Sequence, residues 1–218
     1  MSIECYQGGY DKNFSYLIWC EKTNHAAIID PAVNPIKTFK KIQELDLTLT
    51  KILITHTHHD HYQYLTDYTY KYPNIEICVQ EQSIKLFENL NIKSIENNEI
   101  ISIGEILLIS LFTPGHYHDS ICYWSKTDNK VFTGDTMFVG RTGRVKSATS
   151  NIKELYNSIY KILLNLPRET IIYPGHHYGF SKTTTIKNNI ENSNFFQCNS
   201  LNEFIQIMNN FEKNYGKK

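Results

Sequence analysis

Four imidazole and carboxylate side chains lie within six residues of one another. His56 and His58 are two residues apart, and Asp60 and His61 follow directly. Residues two apart in an extended chain face the same side, so His56 and His58 point together. Burying such a cluster is costly unless a cation lies among its members. The cluster therefore predicts a metal site, because imidazole and carboxylate are the ligands of zinc, iron and manganese; the alternative is a solvated loop with incidental histidines.

Three more residues of the same chemical types stand at the ends of other β-rich segments. His116, Asp135 and His176 each follow a short apolar segment with the composition of a strand. Strand ends at one edge of a sheet can converge on one point, and the strands hold the exposed side chains of the loops rigidly. The predicted strands that lead into metal-type residues are Lys51–Ile54, Ile106–Phe112, Lys130–Thr133 and Thr170–Tyr173.

The remaining elements alternate strands with helices. We predict one hairpin from Ser15–Cys20 and His25–Asp30, and another that joins Ser120–Ser125 to Lys130–Thr133. Asp60 and His61 are expected on the first turn of a helix. Further helices are predicted from Asn34-Pro35 onwards and over Gln80–Asn89, Asn151–Leu166 and Leu201–Phe211.

With these motifs in place, the sequence resembles the metallo-β-lactamase superfamily. The T-H-x-H-x-D-H signature of that family is present as Thr55–His61. The later motifs follow in order as Pro114-Gly115-His116, Phe132–Thr136 and Tyr173–His176, so the resemblance covers nearly the whole chain. It implies an α/β fold, the αββα four-layer sandwich, with the site on one edge.

The resemblance also implies a complete set of metal ligands. It assigns His56, His58 and His116 to a first metal, assigns Asp60, His61 and His176 to a second, and makes Asp135 the bridge. Two divalent ions are therefore expected, with zinc as the first choice and iron or a zinc–iron pair as the others. Two ions in such a site can activate a water and polarise a carbonyl oxygen. Asp60 is the expected catalytic residue, because it can orient that water or take its proton.

Two segments indicate which branches of the superfamily the sequence resembles. Gly134–Arg144 and Tyr173–Gly179 resemble both the hydroxyacylglutathione hydrolases (glyoxalase II) and the persulfide dioxygenases. Arg141, Arg144 and Tyr178 are the expected substrate-binding residues, since a guanidinium pairs well with a substrate carboxylate. A structural ion pair is the alternative for either arginine. Val145–Ser147 departs from both families, and the dioxygenases typically carry an acid in this segment.

Three functions remain open at this point. The first is hydrolysis of a small thioester such as an S-acylglutathione, and we expect a thiol-derived small molecule as the partner. The second is oxidation of glutathione persulfide by a single iron, as in the persulfide dioxygenases. The third is a non-catalytic scaffold, which the complete ligand set disfavours because such a protein would have lost ligands.

Four residues beside the motifs have weaker interpretations. Asp30 ends a predicted strand, where an acid in the resembling family often supports a ligand histidine; a capping role in the turn is the alternative. His59 and His118 are expected to be exposed or to lie behind the ligands. His177 stands where several relatives carry an acid, which would weaken a hydrogen bond behind the ligands and change the metal preference.

Length and composition restrict the class of protein. The chain has 218 residues, which suits one domain over 1–218, with 179–218 as a helical tail packed on it. Lys+Arg and Asp+Glu both number 22, so a basic nucleic-acid-binding surface is not expected. Without an apolar run of about 20 residues, no membrane span is expected either. A homodimer is compatible with the sequence.

The cysteines and the N-terminal residues indicate the compartment. The five cysteines are scattered and odd in number, which argues against a disulfide framework. Residues 1–13 have neither a basic start nor an apolar run, so we expect no secretion signal and a cytoplasmic protein. Roughly 40 residues follow His176, fewer than the helical C-terminal domain of many glyoxalase II enzymes would need.

Overall fold

The protein is a four-layer αββα sandwich in the computed structural model, which describes residues 1–214. Two six-stranded sheets face each other, and helices cover their outer faces. This confirms the fold class expected from the resemblance. The last four residues of the expected domain 1–218 and tail 179–218 lie outside the described residues.

The first sheet contains β1 to β6 in sequential order. Antiparallel pairing joins β1 to β2 and β2 to β3, and the remaining neighbours are parallel. These strands are Ser2–Gly8, Asn13–Trp19, His25–Ile29, Thr48–Leu53, Glu76–Gln80 and Ile92–Ile95.

The second sheet contains β7 to β12, also in sequential order. Its neighbours are antiparallel except for β10 and β11, which run parallel. These strands are Ile100–Ile103, Ile106–Phe112, Ile121–Ser125, Lys130–Gly134, Ile171–Pro174 and Thr184–Thr185.

Helices α1 and α2 cover the first sheet, and α3, α4 and α5 cover the second. Helix α3 continues through a π turn over Ser158–Ile162 and a 3-10 turn over Leu163–Asn165. The helices are Ile36–Glu44, Leu65–Lys71, Ile152–Asn157, Ile186–Asn192 and Leu201–Asn214. None of the described helices is long and apolar enough to cross a membrane.

Three apolar clusters hold the four layers together. The period of two along each strand sends alternate side chains to opposite faces of a sheet. In β3, Ala26 and Ile28 face the helices, whereas Ala27 and Ile29 face the second sheet. Because both faces of β3 are covered, its residues after His25 are all apolar and buried.

Several local predictions differ from the structure. Asp60 and His61 lie on a single 3-10 turn, His59–His61, and the predicted helix over Gln80–Asn89 is a 3-10 segment over Glu81–Phe87. Strand β1 was not predicted, because it is a half-exposed edge strand whose side chains give little alternation. Helix α4 was not predicted either, since its sequence is rich in asparagine.

The strand directions place the chemistry at one edge. Because β8, β10 and β11 run in the same direction, their carboxyl ends share one edge of the second sheet. Backbone hydrogen bonds join the loops at this edge, from Gly175 N–H to Gly134 O at 2.8 Å and from Ile121 N–H to Thr55 O at 2.8 Å. The loop after β4 in the first sheet thereby meets the strands of the second.

Gly134 closes this junction. Its φ of +47° is in the left-handed region, and a Cβ placed there would lie 2.7 Å from Cβ of buried Thr55. Glycine is therefore required both by the backbone conformation and by the space available.

We predict that Gly134→Ala lowers the free energy of unfolding by about 2–5 kcal/mol, from left-handed strain together with overpacking. Gly140→Ala is the matched control, because Gly140 has a φ of +76° but nothing within 4 Å of its Cβ position. The control should lose only the strain, about 1–2 kcal/mol. Urea unfolding of both variants measures the difference, and equal losses would contradict a steric role for Thr55.

Candidate metal centre

All seven predicted ligand side chains converge at the loop edge of the sandwich. Their donor atoms form three overlapping groups of three, each with all donor atoms within 4.8 Å of one another, and one of these groups, His56 with His61 and Asp135, joins the other two. The first donor group is His56, His58 and His116, and the second donor group is Asp60, His61 and His176.

In the first donor group, three imidazole nitrogens face a common point. Nδ1 of His58 lies 2.9 Å from Nε2 of His56 and 3.0 Å from Nε2 of His116. His56 and His116 are buried, and His58 is partly exposed at the wall of a cavity.

In the second donor group, Nε2 of His61 lies 3.1 Å from Nε2 of His176. One oxygen of Asp60 lies 3.5 Å from the same atom of His176. Asp135 stands between the two groups. Its Oδ2 is 3.3 Å from Nε2 of His176 and 3.6 Å from Nε2 of His116, and its Oδ1 is 3.3 Å from Nε2 of His61.

Hydrogen bonds on the far side of the rings fix which nitrogen carries the proton. Nδ1–H of His116 donates to the carbonyl oxygen of Arg144 at 2.8 Å, and Nδ1–H of His176 donates to that of Asp11 at 2.9 Å. A neutral imidazole has one donor nitrogen and one lone-pair nitrogen. Both rings therefore direct the lone pair of Nε2 into the centre.

Asp30 orients two further ligand rings. Its carboxylate accepts hydrogen bonds from Nδ1–H of His61 at 2.8 Å and from the backbone N–H of Thr55 at 2.8 Å. The hydroxyl of Thr55 also donates to Asp30 and lies 3.1 Å from Nδ1 of His56, from which it can accept. The supporting role considered for Asp30 is thus the one that the structure shows.

The resulting arrangement fits a divalent cation. When the rings are neutral, the inward nitrogens present lone pairs about 3 Å apart, which repel each other unless a proton or a metal cation lies between them. Buried Oδ1 of Asp135 also makes no hydrogen bond, although such atoms normally have a partner. Nitrogen donors with carboxylates suit zinc or iron better than the all-oxygen sites of calcium and magnesium.

Burial governs the charge of the first donor group. It lowers the pKa of His56 well below the ordinary value, lowers that of His58 to about 4, and lowers that of His116. Neighbouring histidines lower the pKa of all three further. The rings are therefore neutral at pH 7, which is the form that binds metal.

Carboxylates raise the pKa values of the two histidines in the second donor group. Burial alone lowers the pKa of His61, but Asp135 and Asp30 outweigh it and raise that pKa well above the ordinary value. Asp135 likewise raises the pKa of His176 against the effect of burial. In turn, His176 and His61 hold the pKa of Asp135 well below its ordinary range, although burial raises it. The negative potential that favours a proton at these rings also favours a metal cation.

Three residues around the centre were missed by sequence reasoning. Nδ2 of Asn13 donates to Oδ2 of Asp60 at 2.8 Å, and Oγ of Ser147 lies 3.0 Å from Nε2 of His58. Asp11 supplies the carbonyl oxygen that holds His176. Asp11 and Asn13 are far from the motifs along the chain, and only the departure noted at Val145–Ser147 pointed towards Ser147.

The three expected substrate-binding residues line a cavity of about 330 Å³ beside the centre. The ring of Tyr178 stacks on His176 at 4.8 Å, and its hydroxyl donates to the carboxylate of Asp11. The guanidinium of Arg141 lies over the ring of Tyr178 at 4.0 Å and contacts Phe138. Arg144 completes this wall of the cavity.

The three other histidines that stand within two residues of a ligand in the sequence lie outside the two donor groups. His59 is exposed and packs on Tyr62, while His118 is partly buried against Tyr117. His177 stacks on Phe14 at 5.6 Å, so it packs against the core of the sandwich.

Comparison with known proteins agrees with this geometry. The sequence profile of the metallo-beta-lactamase superfamily matches residues 8–176. A probable hydroxyacylglutathione hydrolase of Schizosaccharomyces pombe is 35% identical over 78% of this chain, and the match spans 66% of that relative's length, just under two thirds. A probable polyketide biosynthesis zinc-dependent hydrolase, PksB of Bacillus subtilis, is 30% identical over 93% of this chain and 88% of its own.

A solved structure extends the comparison to three dimensions. The crystal structure of ETHE1 from Myxococcus xanthus superposes with a TM-score of 0.87 and 30% identity, and the match covers 97% of this chain and 91% of that one. The sequence motifs, the sandwich and the profile match lead to one family assignment. The chain belongs to the metallo-beta-lactamase superfamily.

Proposed function

We propose that the protein is a metal-dependent hydrolase that cleaves a small thioester, with an S-acylglutathione as the expected substrate. The observation that carries this proposal is the presence of two complete donor groups with Asp135 between them. A site with two ions suits hydrolysis, because it can both activate water and polarise the carbonyl under attack.

We assign the first donor group to one divalent ion and the second donor group to another, with Asp135 as the bridge. Zinc is the first choice, in line with the zinc-dependent hydrolase of Bacillus subtilis that this chain resembles. When bound, the ions would lower the pKa of water and stabilise charge that develops on the thioester oxygen.

The protein's own contribution centres on Asp60. Its carboxylate lies in the cavity wall, and the hydrogen bond from Asn13 fixes its orientation. It is therefore placed to orient the attacking water and to accept its proton. The proton can then pass to the thiolate that leaves when the C–S bond breaks.

The cavity suits a substrate that carries a carboxylate. Arg144 and Lys146 line it and bring positive charge to its wall. Arg141 stacks on Tyr178, which holds that wall rigid beside His176. The likeness to a hydroxyacylglutathione hydrolase supports a glutathione conjugate, whose carboxylates such cations would bind.

Oxidation of a persulfide by a single iron is the second candidate. The likeness to the ETHE1 structure fits this alternative, as does the loop Gly134–Arg144. The first donor group alone would hold the iron. The segment Val145–Ser147 departs from both the hydrolases and the dioxygenases, and Ser147 stands beside His58 at this departure.

Removal of the metal should destabilise the protein. With free zinc at about 100 times its Kd, one bound ion contributes about 2.7 kcal/mol to stability. Dialysis against a chelator should therefore lower the Tm by about 5–10 °C, and zinc should restore it. Elemental analysis and scanning calorimetry check this, and a metal-free protein with an unchanged Tm would refute the assignment of the donor groups.

The reaction class is decided by loading the protein with each metal. The protein with two zinc ions should hydrolyse S-lactoylglutathione, measured by loss of thioester absorbance. The iron-loaded protein supplied with glutathione persulfide should consume no oxygen, measured with an oxygen electrode. Oxygen uptake with one iron per chain, together with no hydrolysis by the zinc protein, would establish the dioxygenase instead.

Replacing Arg144 with alanine should raise KM about tenfold and leave kcat within about twofold, because one charge-assisted hydrogen bond to the substrate is lost. The backbone carbonyl that binds His116 remains in this variant. Arg168→Ala is the matched control, since Arg168 is exposed and precedes β11 at the end away from His176. An unchanged KM in Arg144→Ala would exclude this residue from substrate binding.

A further inference from the structure

We propose that Asp119 is a positioning residue that holds the two loops of the first donor group together. This inference rests on the proposed function, because it concerns the affinity of that group for its ion. Asp119 stands three residues after His116 and two residues before β9 begins. Its side chain acts on the other two ligands of the group, His56 and His58, through the residue between them.

The described hydrogen bonds of the Asp119 carboxylate come from Thr57 and Ser83. Its carboxylate accepts hydrogen bonds from the backbone N–H of Thr57, at 3.1 Å and 3.3 Å to its two oxygens. The hydroxyl of Thr57 donates to the same carboxylate at 2.6 Å, and the hydroxyl of Ser83 donates as well. Thr57 lies between His56 and His58, so this one carboxylate fixes the backbone that carries both rings.

The contacts of Asp119 support the first donor group rather than the second. The loop with His116 and the loop with His56 and His58 belong to different sheets, and Asp119 ties them by side-chain hydrogen bonds. The second donor group is oriented by Asp30, Asn13 and Asp11. Loss of Asp119 should therefore weaken the first donor group and affect the second much less.

The charge of Asp119 supports the same conclusion. The carboxylate is 2% exposed, and within residues 1–214 no lysine, arginine or histidine side chain forms an ion pair with it. Neutral hydrogen bonds alone compensate a buried carboxylate incompletely. A cation held by His56 and His58, the residues on either side of Thr57, would offset part of the remaining cost.

Asp119→Asn tests the inference, because it keeps the size of the side chain but removes the charge and half of its acceptor capacity. Residues that support metal ligands typically change metal affinity by about 10–100-fold. We expect zinc affinity at one of the two sites to fall about tenfold or more, and the other to stay within about twofold. Competition with a chromophoric chelator measures both constants.

Asp128→Asn is the matched control. Asp128 lies at the opposite end of the β9–β10 hairpin, where it accepts a hydrogen bond from Ser125 at 2.7 Å and pairs with the N-terminal amine. Urea unfolding of the two metal-free variants shows whether they are destabilised to a similar extent. Only Asp119→Asn should lose zinc affinity.

Two further measurements separate positioning from general destabilisation. Cobalt bound to the first donor group should show altered d–d absorption in Asp119→Asn, and the amide of Thr57 should exchange faster with solvent. Should Asp119→Asn fail to fold, Thr57→Val removes only the hydroxyl contact and should shift the same zinc constant in the same direction by a smaller factor.

The outcomes distinguish this inference from the proposed function. If the wild-type protein binds two ions and Asp119→Asn binds both with unchanged affinity, Asp119 has no positioning role although the proposed function stands. Equal weakening of both sites, or an equal loss in Asp128→Asn, also overturns it. If the wild-type protein binds no second ion, the proposed two-metal function fails, while a selective loss at the remaining site still supports Asp119.

Discussion

The structure depends on one electrostatic constraint, the meeting of imidazole lone pairs at the loop edge of the sandwich. Nitrogens about 3 Å apart face one another in both donor groups, and partners behind the rings prevent them from turning away. Such an arrangement is unfavourable for the protein alone and favourable around a cation. The hydrogen bonds behind the ligands are therefore as much a part of the proposed metal centre as the ligands themselves.

The αββα sandwich holds the imidazole rings in this unfavourable arrangement. The apolar clusters between the layers fix the two sheets. Because β10 is parallel to β11, and β8 and β10 are both antiparallel to β9, the carboxyl ends of β8, β10 and β11 lie at one edge. The loops then need only short polar contacts to complete the site, such as those of Asp30 with Thr55 and His61. Free energy from the core thus supports a polar centre that is unfavourable without a cation.

One segment of the chain supplies several of the groups around the proposed metal centre. The segment after Asp135 supplies the carbonyl of Arg144 to His116, the hydroxyl of Ser147 to His58, and the cationic wall of the cavity. The proposed metal ligands and the proposed substrate-binding wall therefore share contacts with one loop. Helix α5 supports that loop, since Glu212 accepts a hydrogen bond from the backbone N–H of Val145 at 3.3 Å.

The sequence by itself indicated the family, because Thr55–His61 and the later motifs are local patterns, and the resemblance to that family implied the fold class and the seven ligands. Strand periodicity added only the expectation that strand ends converge. It did not predict β1, α4 or the 3-10 segment Glu81–Phe87, whose local signals are weak. Only the tertiary structure decided which partner stands behind each ligand. Asn13, Ser147 and Asp119 are ordinary polar residues in the sequence, and they acquire their roles from contacts between loops that are far apart along the chain.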